Sequence, residues 1–216
     1  MHVFAFEGGD VVSHITRDLT HAALIVVDLQ NDFCPGGTLA VPEGDLIIPV
    51  VQRWIRRFQE QRRPIIFTQD AHPGHHISFV AQGGPWPPHC VQGTLGAALH
   101  PDLAIPADAF YVEKGFLPEV DAYSGFEGVV KDPDGTRTQQ SLHELLDSRG
   151  IRTIYLSGLA TDYCVKATGI DGLRLGYQVI LIGDAIRGVN VHPDDSRLAI
   201  SELTRRGAQL VAGSGG

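Results

Sequence analysis

The sequence predicts an α/β fold in which helices cover both faces of a parallel sheet. Two observations point there. Apolar runs of strand length alternate with segments of helical periodicity, and the runs are apolar throughout. A strand buried on one face alternates in polarity, whereas one buried on both faces does not. Size agrees: 216 residues, 43% hydrophobic and 19% charged, suit one domain with a sizeable core, taken here as residues 1–216.

The elements follow in order. Ala23–Asp28 is an apolar run closed by an acid and reads as a buried strand. Leu46–Arg62 carries Ile47, Val50, Val51, Trp54 and Phe58 at helical spacing, with Pro49 early, where a helix tolerates it. Pro64–Thr68 and Ala109–Lys114 read as further strands. Thr138–Arg149 reads as a helix with Leu142, Leu145 and Leu146 on one face and Gly150 as its stop. Ile151–Gly158 is a strand, and Thr161–Leu175 a helix closed by Gly176. Tyr177–Gly183 is a strand. Pro193–Arg206 is a helix with acids first and arginines last, as the helix dipole favours. Ala208–Val211 completes the set, and the closing Gly213–Gly216 stretch reads as a frayed end.

The bulk numbers exclude several classes. A net charge of -8 argues against a nucleic-acid or anionic-membrane footprint. No apolar run approaches the roughly 18 residues of a membrane span, and no signal-peptide pattern opens the chain. Three cysteines are too few for a disulfide framework and odd in number, which points to a reducing cytoplasm.

The candidate chemistry collects where parallel strands end, the usual site edge of such sheets. Asp28 ends the first strand, Lys114 the third, and Cys164 lies in the first turn of a helix just past Gly158. Alone, each has an ordinary reading: a loop-capping acid, a solvated lysine and a small packed thiol. Together they are the acid, cation and thiol of covalent catalysis. A helix start and a nearby ammonium favour the thiolate, and a carboxylate can take and return the proton. Backbone N–H groups of the turn can hold an oxyanion. Cys34 and Cys90 read as packing.

The stretch from 70 to 108 is rich in Gly, Pro and His and long for a connection, so it is read as a functional loop region. It holds Asp70, His72, His75, His76 and His89. Asp-x-His directly after a strand, with further histidines in a Pro-Gly loop, fits a metal site, and a polar surface loop is the plain alternative. Carboxylate and imidazole together suit zinc, iron or manganese without choosing among them.

These residues carry a resemblance. VVDLQNDFCPGGTLAV, TQDAHPGHHISF, WPPHCVQGTLGAALHPDL, EKGFLPEVDAYSGFEG, GLATDYCVKATGIDGLRLGY and VILIGDAIRGV resemble, in order, the nicotinamidases (pyrazinamidases) of the isochorismatase-like cysteine hydrolases. The likeness runs from about Ala23 to Val189. It implies a three-layer α-β-α sandwich with a central, mostly parallel six-stranded sheet. It implies a triad of Asp28 as base, Lys114 as cation and Cys164 as nucleophile. A cis Leu159–Ala160 peptide would set the N–H groups of Ala160 and Cys164 as the oxyanion hole. One divalent metal, zinc first and iron or manganese next, would sit on Asp70, His72, His76 and His89. Phe33, Trp86 and Tyr123 would line the ring pocket. Ala71 departs from the aromatic residue usual between the Asp and His of this loop, and bears on the pocket wall.

The implied reaction is hydrolysis of nicotinamide, and also of pyrazinamide, to the acid and ammonia in NAD salvage. The partner is thus a small-molecule substrate, with no nucleic acid or membrane, and with room for a homo-oligomer. Two rivals are an amidase or vinyl-ether hydrolase of the same fold with another substrate, and a metal-binding or interaction protein without turnover. Cys164 and the metal-loop residues argue against the first, and the complete triad against the second.

Overall fold

The computed structural model describes residues 19–212; the reading of Gly213–Gly216 as a frayed end and the segment before residue 19 lie outside the described residues. The strands are β1 (Ala22–Val27), β2 (Ile65–Asp70), β3 (Phe110–Lys114), β4 (Val129–Lys131), β5 (Arg137–Ser141), β6 (Thr153–Leu159), β7 (Gln178–Arg187) and β8 (Gln209–Val211). The helices are α1 (Ile48–Glu60), α2 (Leu142–Ser148), α3 (Lys166–Arg174) and α4 (Asp195–Arg205).

One sheet of eight strands runs in the order β5-β4-β3-β2-β1-β6-β7-β8. All pairs are parallel except those that β4 makes with β3 and β5. The expected six strands are present, and the hairpin β4–β5 corrects the count to eight. Its strands are short and β5 reads Arg-Thr-Gln-Gln-Ser, with no apolar run to mark it. The hairpin displaces the predicted helix start: Thr138 lies in β5, and α2 begins only after Ser141. There Ser141 Oγ accepts from Glu144 N while Glu144 Oε2 accepts from Ser141 N, a reciprocal cap that fixes the helix start.

Alternation within the strands divides the core. Leu24, Val26, Phe67, Tyr155 and Ile180 face α1, against Val51, Trp54, Ile55 and Phe58. Ala23, Ile25, Ile66, Val112, Ile154, Leu156 and Leu181 face the other way, against Leu142, Leu145, Leu146 and Leu203 of α2 and α4. The sheet is thus buried on both faces, which is why its inner strands read as unbroken apolar runs. Cys34 and Cys90 are packed into the α1 side, as expected.

From β1 the chain winds outward to β2 and β3, then returns to β6 on the other flank of β1. The strand order reverses there, and the carboxyl ends of β1 and β6 open the crevice in which such sheets bind ligands. No described helix is long and apolar enough to cross a membrane.

Candidate active site

Asp28 follows β1 with φ at 44°, a left-handed conformation that Asp adopts more readily than most residues. Asp70 and Lys114 are register partners at the ends of β2 and β3, so their side chains leave the same sheet face. Thr68, two residues before Asp70, points that way too and donates its hydroxyl to Asp28 Oδ1 at 2.6 Å. Cys164 comes from a wide π-type turn, Thr161–Val165, that links β6 to α3. Turns of this kind recur at functional sites.

Lys114 Nζ joins the group. It lies 2.9 Å from Asp28 Oδ2, 2.5 Å from Asp70 Oδ1 and 3.4 Å from Cys164 Sγ. Lys114 and Asp28 have no exposure and Cys164 only 6%. Asp28 Oδ2 faces the ammonium, while Thr68 occupies Oδ1.

Burial raises the Asp28 carboxyl above its ordinary value, against the pull of the Lys114 ammonium. Burial would raise Asp70 too, but Lys114 and then His72 outweigh it and hold Asp70 well below the usual carboxylate range. Burial disfavours the charged Lys114, yet Asp28 and Asp70 together push its pKa well above the ordinary value. For Cys164, burial wins over Lys114 and raises the thiol well above its ordinary value.

A second cluster shares Asp70. Ligand atoms of Asp70, His72 and His89 lie within 4.8 Å of one another, and all three residues are buried. Nδ1 of His72 faces Gly115 O and Nδ1 of His89 faces Pro87 O, both at 2.8 Å. Such carbonyl partners orient an imidazole and leave its Nε2 for a metal. Gly115, at φ 63°, allows this approach, since a Cβ there would overlap the His72 ring. One carboxylate and two oriented imidazoles fit a divalent cation with positions left open. His76, also expected among the ligands, lies beside this group. It stacks near His72, but its Nδ1 is engaged by Ser78 Oγ at 2.7 Å and its Nε2 by Val120 O at 3.1 Å, so it stands outside the cluster.

Above both clusters is a narrow cavity of about 40 Å³, lined by Phe33, Leu39, Trp86, Tyr123, Ala160 and Val189 among others, with Cys164 and His89 in its wall. Phe33, Trp86 and Tyr123 were expected there. Trp86 Nε1 donates to Tyr123 OH at 3.1 Å, and Tyr163 stacks on Tyr123 with centroids 6.0 Å apart. Ala71 is not among the residues lining this cavity; it lines a separate depression with Gln69, Gln92 and Glu113. The Leu159–Ala160 peptide is cis.

Sequence reasoning missed Leu39, Tyr163 and Val189 as lining residues. Tyr163 adjoins Cys164 in the quoted motif and could have been found; Leu39 and Val189 carry no local signal. It also missed Gln30. This fully buried side chain accepts from Asp70 N and donates to Asp70 O, both at 2.8 Å, and so fixes that residue's backbone.

A doubly wound sheet with a buried acid, ammonium and thiol at its reversal point has the makings of a thiol-dependent hydrolase. The chain belongs to the isochorismatase domain family, whose model matches residues 22–213. Nicotinamidase of Escherichia coli (strain K12) is 45% identical, over 87% of this chain and 93% of that protein. A crystal structure of pyrazinamidase of Pyrococcus horikoshii in complex with zinc superposes with a TM-score of 0.80 at 44% identity, covering 89% of this chain and 99% of that one. The PnC1 structure from L. infantum in complex with nicotinate gives 0.80 at 36%, covering 93% and 96%.

Proposed function

We propose that this enzyme hydrolyses nicotinamide to nicotinate and ammonia, and pyrazinamide likewise, through a thioester on Cys164. The observation that carries the proposal is Lys114 Nζ, buried and in contact with Asp28, Asp70 and Cys164 beneath an aromatic cavity. Similarity to nicotinamidases over most of the chain supports the substrate class.

The aromatic walls hold the pyridine ring with its carboxamide over Cys164. Asp28 takes the thiol proton while the sulfur attacks the carboxamide carbon. The N–H groups of Ala160 and Cys164 receive the oxyanion; one such donor is worth roughly 3 kcal/mol in the transition state. Asp28 returns the proton to nitrogen as the C–N bond breaks and ammonia leaves. It then takes a proton from water, whose oxygen attacks the thioester carbon. The C–S bond breaks, sulfur recovers its proton, and nicotinate is released. Lys114 holds the acid and thiol together and offsets the negative charge.

Asp70, His72 and His89 would hold the divalent metal, and zinc is the first choice given the zinc complex of the P. horikoshii relative. When bound, the metal would attract the ring nitrogen and so orient the carboxamide. A chemistry that uses a free thiol, and three free cysteines, suit a reducing cytoplasm.

The test is ammonia release from nicotinamide by purified, zinc-supplied protein, with Cys164→Ala in parallel. Release by the wild type and none by the variant is expected. Wild-type-like release by the variant would remove Cys164 from the mechanism, and no release by either would remove the substrate.

A further inference from the structure

Asp162 has no part in the chemistry above, yet it sits two residues from the nucleophile and reaches away from it. Its Oδ1 accepts from Val189 N at 2.9 Å and its Oδ2 from Asn190 N at 2.7 Å. Both carboxylate oxygens therefore bind the loop that leaves β7. That loop has little freedom to be elsewhere. A Cβ at Gly188 would overlap Ser196 Oγ and lie 2.9 Å from Asp162 Oδ1, so a larger residue there would displace these side chains. Asn190 holds a left-handed φ of 53°, and its Oδ1 accepts from Ser196 N at 2.9 Å, next to the start of α4. Between those anchors, Val189 lines the ring cavity. On the other side of Asp162, Tyr163 lines the same cavity and packs on Trp86 and Tyr123.

We infer that Asp162 is a positioning residue that sets the width of the ring pocket. It ties the Val189 wall to the turn that carries both Tyr163 and Cys164, so that wall and nucleophile keep a fixed spacing. Charge-assisted bonds to two successive amides suit this task, because they fix a loop in direction as well as distance. The consequence is selective. Loosening the tie moves Val189, which lines the cavity, and leaves Asp28, Lys114 and Cys164 in place. Ring binding weakens and discrimination against substituted rings relaxes, while the chemical step is largely spared. The inference rests on the cavity being the ring pocket of the proposed amidase.

The experiment uses the full zinc-loaded chain with Asp162→Ala, Asp162→Asn and Val189→Ala. Asp162→Ala is expected to raise KM for nicotinamide about tenfold with kcat within about threefold, the pattern of lost ground-state binding. Asp162→Asn keeps one acceptor and should fall between it and wild type. Val189→Ala widens the wall without touching the tie, and should share the improved relative kcat/KM toward ring-substituted nicotinamides. A lowered Tm with wild-type KM in Asp162→Ala would mean that Asp162 only supports the fold, and would overturn the inference. A substrate-independent readout separates this from the function itself: amide hydrogen exchange at Val189 and Asn190 should speed up in Asp162→Ala. Unchanged exchange there contradicts the tie whatever the substrate is. A wild-type enzyme inert to nicotinamide, with exchange speeded as expected, counts against the substrate and upholds the tie.

Discussion

Asp28 is a buried acid whose carboxylate form burial disfavours, and the proposed reaction requires that form. The sign of its pH dependence follows. Below its raised pKa the carboxyl is protonated and cannot take the Cys164 proton; above it the base is ready. The kcat/KM profile should therefore lose activity as pH falls, with an acid limb above the ordinary carboxylate range. Asp28→Asn should lower kcat at least about 100-fold, the usual scale for a lost general base. Its stability should be unchanged or higher, since the variant no longer buries that charge and Lys114 keeps Asp70 as partner. A pH–rate series and a thermal melt check the two halves separately. At this scale the triad was legible, because each member closes a strand or opens a helix at one sheet edge. The burial of Cys164 was not: the ammonium can be read from sequence, but the depth of burial that opposes its pull on the thiol cannot.

Elements were legible where burial forced a pattern. The inner strands are apolar on both faces and could be read as unbroken runs, whereas β5 at the sheet edge is polar and half exposed. Its only signal was the Asp-Pro-Asp-Gly turn at 132–135, where Gly135 N donates to Asp132 O at 2.8 Å. Missing that turn carried the predicted helix back over β5. The real start of α2 depends on its cap, so Ser141→Ala should destabilise the fold by about 1 kcal/mol. Chemical denaturation of the variant would read this as a lower midpoint at unchanged slope, with kcat unaffected, because α2 packs on the far side of the sheet from α1 and contributes nothing to the ring cavity.

Across the whole molecule, the fold brings Asp70 from a strand end and His72 and His89 from the loop region into one buried group. Sequence spacing identified that region but could not rank neighbouring histidines. Whether a ring nitrogen faces Asp70 or, as in His76, a hydroxyl and a carbonyl depends on loop geometry that spacing does not encode. His89→Ala should lose tightly held metal, read by elemental analysis of the gel-filtered protein, while His76→Ala should retain it. Chelation should abolish ammonia release, and added zinc should restore it. Acid should release the metal, since imidazole ligands must be unprotonated.

The central claim is that Cys164 carries the acyl group. The most direct measurement follows a single turnover of nicotinamide, quenched in acid, with intact-protein mass and released ammonia read from the same samples. The account predicts that ammonia and a nicotinoyl adduct on Cys164 form together, before nicotinate, and that Cys164→Ala gives neither. Ammonia and nicotinate rising together without an adduct at any time, with Cys164→Ala still turning over, would contradict it.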